Sequence, residues 1–138
     1  MKSTINGKWL SNMAFEADVS GHKLLMDASA ESNGNDSGPR PKELMVAALL
    51  GCTGMDVVSI LKKMRIEFDS LDISIESEMT EEHPKQYTSM HVIYNIKGKN
   101  LPLDKIEKAV EMSQERYCGV SAVYKKAMPV TYEIRIKE

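Results

Sequence analysis

What this chain has little of narrows it before any motif is read. Cysteine occurs twice in 138 residues, at Cys52 and Cys118. That is too few for a disulfide scaffold of the secreted kind. Two thiols so far apart in sequence read instead as buried, catalytic or redox-active groups in a reducing compartment. Aromatic residues make up only 6%, against ten methionines, so the core leans on flexible aliphatic side chains. Neither sign of charge dominates: 18 basic residues face 20 acidic ones. The basic residues cluster no further than the pairs Lys62-Lys63 and Lys125-Lys126, which argues against a nucleic-acid or anionic-membrane partner. No uninterrupted apolar run reaches the roughly 18 residues of a membrane span, so none is expected. The opening "MKSTINGKWL" lacks the apolar region of a signal peptide, so a cytoplasmic location is expected. The nucleophile-elbow pattern G-x-S-x-G, the phosphate loop and the dinucleotide fingerprint are all missing, and no cofactor is expected. His22, His83 and His91 form no recognised ligand spacing with either cysteine, so no metal is expected.

What is present reads as one α+β domain over residues 1–138. "STINGKWL" carries β-branched and aromatic residues around Asn6-Gly7, a turn signal. Strands are expected near Met13–Val19 and His22–Asp27, paired across Ser20-Gly21. "SAESNGNDSGPRP" has the composition of a loop, longer than most connections. Pro41 suits the first turn of a helix running to about Met64. Between Leu44 and Cys52 that helix is apolar on every side, so it needs cover all round. One small domain hardly supplies it, and a second chain is expected over part of the helix. "SLDISIESEM" and "YTSMHVIYNIKGK" alternate as the two strands of a hairpin around "EEHPK". "LPLDKIEKAVEMSQERY" is an amphipathic helix, "GVSAVYKKA" a short helical piece, and "PVTYEIRIKE" a closing strand.

Both cysteines have an ordinary reading as small buried hydrophobes. For Cys52, the flanking Gly51 and Gly54 each cost about 1 kcal/mol inside a helix. They make sense where something approaches the backbone closely. Thr53 and Asp56 interrupt the apolar run just past the thiol. Cys118 precedes Gly119 and Ser121. If a helix starts there, its dipole and free N–H groups are expected to lower the thiol pKa.

Two segments together resemble the OsmC/Ohr family, the osmotically inducible and organic-hydroperoxide-resistance proteins. They are "PRPKELMVAALLGCTGMDVVSILKK" and the Cys-x-x-Ser of "YCGVSAV". The resemblance in element order covers nearly the whole chain. It implies antiparallel sheets and two long helices, the central one, about 41–64, buried at the interface of an intertwined homodimer. It also implies a thiol peroxidase: Cys52 attacks an organic hydroperoxide, Cys118 resolves the product as a disulfide, and a dithiol reductant restores the pair. The chain departs from the family pattern at two points. Lys42 stands where active members carry a Glu, and no Arg precedes Arg40. Glu43 and Arg40 are therefore the substitute candidates. Residues nine or ten apart on one helix lie roughly 13–15 Å apart along its axis, so Lys42 or Glu43 would reach a thiol only across a two-fold axis. The alternative reading is a non-catalytic protein on the same scaffold, holding a small apolar ligand in a crevice at the dimer interface.

Overall fold

The chain is described over all residues 1–138 in a computed structural model, and it divides into two units, Met1–Met45 and Val46–Glu138.

In the first unit, β1 (Asn6–Ser11), β2 (Ala14–Val19) and β3 (His22–Met26) form an antiparallel meander. Ser20 and Gly21 both take positive φ, 46° and 82°. A two-residue turn of that hand matches the right-handed twist of the strands it joins. The Asn6-Gly7 pair, expected as a turn, opens β1 instead. Gly7 pairs with Ala17, and a Cβ on it would lie 3.3 Å from the Glu16 carbonyl. The turn falls at Asn12, whose φ is 50° and whose carbonyl accepts the Trp9 indole N–H at 2.7 Å. Only Ala14 and Ala17 are buried hydrophobics in these strands, while Trp9 and Phe15 are at least half exposed.

The long loop after β3 is ordered by one carboxylate. Asp27, 3% exposed, accepts the N–H groups of Ala28, Asn35 and Ser37 and the Ser37 hydroxyl, at 2.6–3.2 Å. The Ser37 hydroxyl, then the backbone donors, hold its pKa down at about 2. This is the Asx chemistry of turns extended across ten residues.

The helix α1 (Glu43–Lys63) follows a turn in which the Pro41 and Lys42 carbonyls accept from Leu44 and Met45. Its regular ladder therefore starts two residues later than the sequence suggests. Leu49, Thr53, Val57, Ile60 and Leu61 form its buried face. In the second unit, β4 (Ser70–Met79), β5 (Tyr87–Lys97) and β6 (Val130–Lys137) make a sheet in that order. The central strand buries Met90, Val92, Tyr94 and Ile96, every second residue, as a pleated strand must to cover one face. β4 pairs with β5 antiparallel, but β6 joins β5 in parallel, a departure from all-antiparallel sheets. A parallel neighbour needs a long crossover. Here α2 (Leu103–Met112) and α3 (Gly119–Lys125) supply it, with Ile106, Ala109 and Val110 turned into the core.

The other face of α1 is bare: Leu50 is 38% exposed and Met55 76%. By length and composition α1 could cross a membrane, with a mean hydropathy of 2.0 over 18 residues of which 22% are buried. Such a helix packed along one side by its own chain leaves a long apolar strip uncovered.

Candidate functional site

The site starts from an irregularity in the crossover. After α2 the chain makes one π turn, Ser113–Tyr117, closed by the Cys118 N–H on the Ser113 carbonyl at 2.8 Å. A π turn carries an extra residue and so resets which side chains face inward. Ser113, Gln114 and Cys118 all end in the interior, none more than 2% exposed. Cys118 then caps α3, its Sγ accepting the Ser121 N–H at 3.4 Å.

This brings Cys118 to Cys52. The two sulfurs and a carboxylate oxygen of Asp56 all lie within 4.8 Å of one another. Cys52 and Asp56 are one helical turn apart on α1 and so project from the same side. Both cysteines are free thiols, Cys118 buried and Cys52 partly exposed. Cys118 does not have the lowered pKa expected of a helix N-terminus. Burial pushes it up from 9.0 to about 11, and a hydrogen bond to Cys52 adds to this, against the opposing pull of the Ser121 N–H. Desolvation outweighs the cap because a thiolate loses more hydration than one long N–H contact returns. Burial thus favours the protonated form of Cys118.

Asp56 ends a buried chain of hydrogen bonds. Ser113 donates to Asp56 Oδ2 at 3.0 Å. A hydroxyl has one proton, so at 2.7 Å Ser113 accepts from Thr53. Thr53 in turn accepts from Tyr94 at 2.6 Å. Tyr94 accepts from Gln114 Nε2 at 2.7 Å, and Gln114 Oε1 accepts from Ser121 at 2.8 Å. Every donor from Ser121 onward points toward Asp56, and bonds aligned this way polarise one another. Burial raises the Tyr94 pKa, so the phenol keeps the proton that the chain requires. No buried side-chain nitrogen or oxygen lacks a partner.

A cleft of about 480 Å³ opens at Asp56, walled by Ile60, Met64, Met112 and Tyr117 with Lys63 among its lining residues. A second open groove, about 570 Å³, runs along the bare side of α1 between Leu50, Met55, Val58 and Ile73.

Of the residues expected from sequence, the structure brings Cys52 and Cys118 together and, separately, Arg40 and Glu43. The Arg40 guanidinium binds Asp36 at 2.7 Å and the Gly38 carbonyl at 2.9 Å. Glu43 accepts the Arg40 backbone N–H at 3.1 Å. These contacts close the loop onto the start of α1. In the sequence Asp56 stands out only as a break in an apolar run, and Tyr94 and Gln114 do not stand out at all. The helical spacing of Cys52 and Asp56 was the available signal for the first. Nothing local marks the other two, because the π turn and the sheet bring them in.

The family model for OsmC-like proteins matches residues 34–133. Protein YhfA of Escherichia coli K12 is 33% identical over 130 residues, 94% of each chain. Among solved structures, a hypothetical protein from Aquifex aeolicus VF5 superimposes with a TM-score of 0.84 at 28% identity over the whole of both chains. The organic hydroperoxide resistance protein OhrB of Bacillus subtilis superimposes with a TM-score of 0.68 at 16% identity over 98% of each, a likeness of fold alone.

Proposed function

The chain belongs to the OsmC-like protein family, and from that premise we propose that it is a thiol-dependent peroxidase reducing organic hydroperoxides. The observation that carries this reading is the Cys52–Cys118 pair, two free thiols with their sulfurs within 4.8 Å. A disulfide needs about 2.05 Å between sulfurs, so the two have to close by at most about 2.7 Å. The thiol with its proton held by burial is Cys118, which leaves Cys52, the more exposed sulfur, as the nucleophile. Its thiolate attacks the outer peroxide oxygen. The O–O bond breaks, the inner oxygen leaves with a proton as alcohol, and Cys52 becomes a sulfenic acid. The Cys118 sulfur then displaces that hydroxyl, forming a disulfide and water. A dithiol reductant takes over the disulfide by exchange and restores both thiols. The cleft at Asp56, one helical turn from Cys52 on α1, has Ile60, Met64 and Met112 among its walls, which suit a hydrocarbon tail. Arg40 and Glu43 serve in this reading by fixing the loop before α1.

The working form is a homodimer in the cytoplasm. The bare strip on α1 and the exposed Trp9 and Phe15 of the first unit support a second copy as the cover. Purified, reduced protein is expected to consume an organic hydroperoxide with loss of two thiols per chain, and Cys52→Ser to abolish the consumption. Unchanged thiols and no turnover in the wild type would sink the proposal. A second reading, a non-catalytic binder of a small apolar molecule, draws on Lys42 at the family's Glu position and on the apolar groove along α1. Native mass spectrometry of the purified dimer separates the two, since a binder retains a small molecule and leaves hydroperoxide untouched.

A further inference from the structure

We propose that the reduced Cys52–Asp56–Cys118 cluster binds one thiophilic divalent cation per chain, zinc foremost. A thiolate working alone is favoured by nearby cations and N–H donors. The Asp56 carboxylate takes no part in the peroxide steps above, yet the fold directs a whole buried hydrogen-bond chain at holding it within 4.8 Å of both sulfurs. Three groups able to carry negative charge, converging in a partly buried place, make sense around a positive ion.

The donor set fits. Two thiolates and a carboxylate are within zinc's range of ligands, and a tetrahedral shell keeps one position for water. With Zn–S near 2.3 Å, tetrahedral ligand sulfurs lie about 3.8 Å apart, so the two sulfurs, already within 4.8 Å, converge by about 1 Å at most. The outer contacts are of the kind that orient ligands: Ser113 donates to Asp56, and the Ser121 N–H reaches Cys118. The raised pKa of Cys118 is no obstacle, because a bound cation displaces the thiol protons and binding releases them to solvent. The absence of histidine from this set is why ligand spacing in the sequence did not disclose it.

The metal and the peroxide compete for the same two sulfurs, so a filled site would be protected from oxidation and only the metal-free form would turn over. The test is an anaerobic cobalt titration of the reduced, full-length protein, followed by absorbance. Saturation at one cobalt per chain, with a thiolate-to-cobalt charge-transfer band and tetrahedral d–d bands that zinc erases, is the expected result. Cys52→Ser and Cys118→Ser should each weaken the charge-transfer band. Asp56→Asn keeps both thiols and should lower affinity by roughly tenfold or more. Binding without a thiolate band, or an Asp56→Asn variant that binds as tightly as the wild type, overturns the site. A protein that binds cobalt through both thiols yet leaves hydroperoxide unconsumed keeps this inference and fails the other.

Discussion

Two aspartates, one in each unit, show how differently the same side chain can be held. Asp27 is saturated: three backbone N–H groups and one hydroxyl, all from its own loop, take up its acceptors. Nothing is left over for chemistry, and the product is an ordered loop. Asp56 takes the Ser113 hydroxyl and otherwise faces two sulfurs that are not joined to each other. Buried polar groups are tolerated when satisfied. The lesson is in the partners: local backbone donors tie one carboxylate into its loop, and a single distant hydroxyl leaves the other facing two free thiols.

The comparison is broken most sharply at the thiol. Cys52→Ser should lower hydroperoxide consumption by at least about a hundredfold, while Asp27→Asn, assayed below its melting temperature, should leave the rate within about threefold. Equal losses in both variants would erase the distinction. Next in size is the pH dependence of Cys118. With its pKa near 11, its alkylation at pH 8 should lag that of Cys52 and rise steadily with pH toward 11. Mass-resolved labelling across a pH series reads this directly. The sign for stability follows from linkage. A thiol whose folded pKa is raised keeps its proton in the folded chain and loses it earlier in the unfolded one. Its contribution is therefore intact below the unfolded value near 9.0 and declines as pH rises toward 11. Denaturant titrations should show that decline in the wild type and a shallower one in Cys118→Ser.

For the structural carboxylate, Asp27→Ala leaves three N–H groups and a hydroxyl without their acceptor and should lower the melting temperature by on the order of 5–10 °C. The Asp27 pKa near 2 gives the opposite pH sign to Cys118. Its contribution is present above the ordinary carboxylate range and fades as pH falls toward 2. The smallest effect sharpens the other side. Tyr94→Phe removes the hydroxyl between Gln114 and Thr53 and should cost about 1–3 kcal/mol of stability in a urea titration. The same variant should lower cobalt affinity less than Asp56→Asn does, because Tyr94 acts on the carboxylate only through Thr53 and Ser113.

Much of the fold was legible because it is written in periodicity. The segment "SLDISIESEM" coincides with β4, its alternation holding from Leu71 to Glu76, and Ser20-Gly21 turns where glycine chemistry favours a turn. Asn6-Gly7 misled because the same dipeptide can sit in a strand, where a missing side chain lets a neighbouring carbonyl pass. The parallel pairing of β6 and the π turn were not legible, since both depend on how the crossover packs rather than on local propensity. At the site, the two cysteines came from the family pattern. The direction of the Cys118 shift did not, because a cap is local and desolvation is set by the whole core. Asp56 looked like an interruption in the sequence and became the end of a hydrogen-bond chain in three dimensions.

The most direct test of the central claim mixes reduced, metal-free protein with one equivalent of an organic hydroperoxide, quenches by denaturing alkylation, and maps the peptides by mass. The account predicts that the hydroperoxide is converted to its alcohol and that one disulfide joins the Cys52 and Cys118 peptides. Both cysteines recovered fully alkylated, with the hydroperoxide unconsumed, would contradict it.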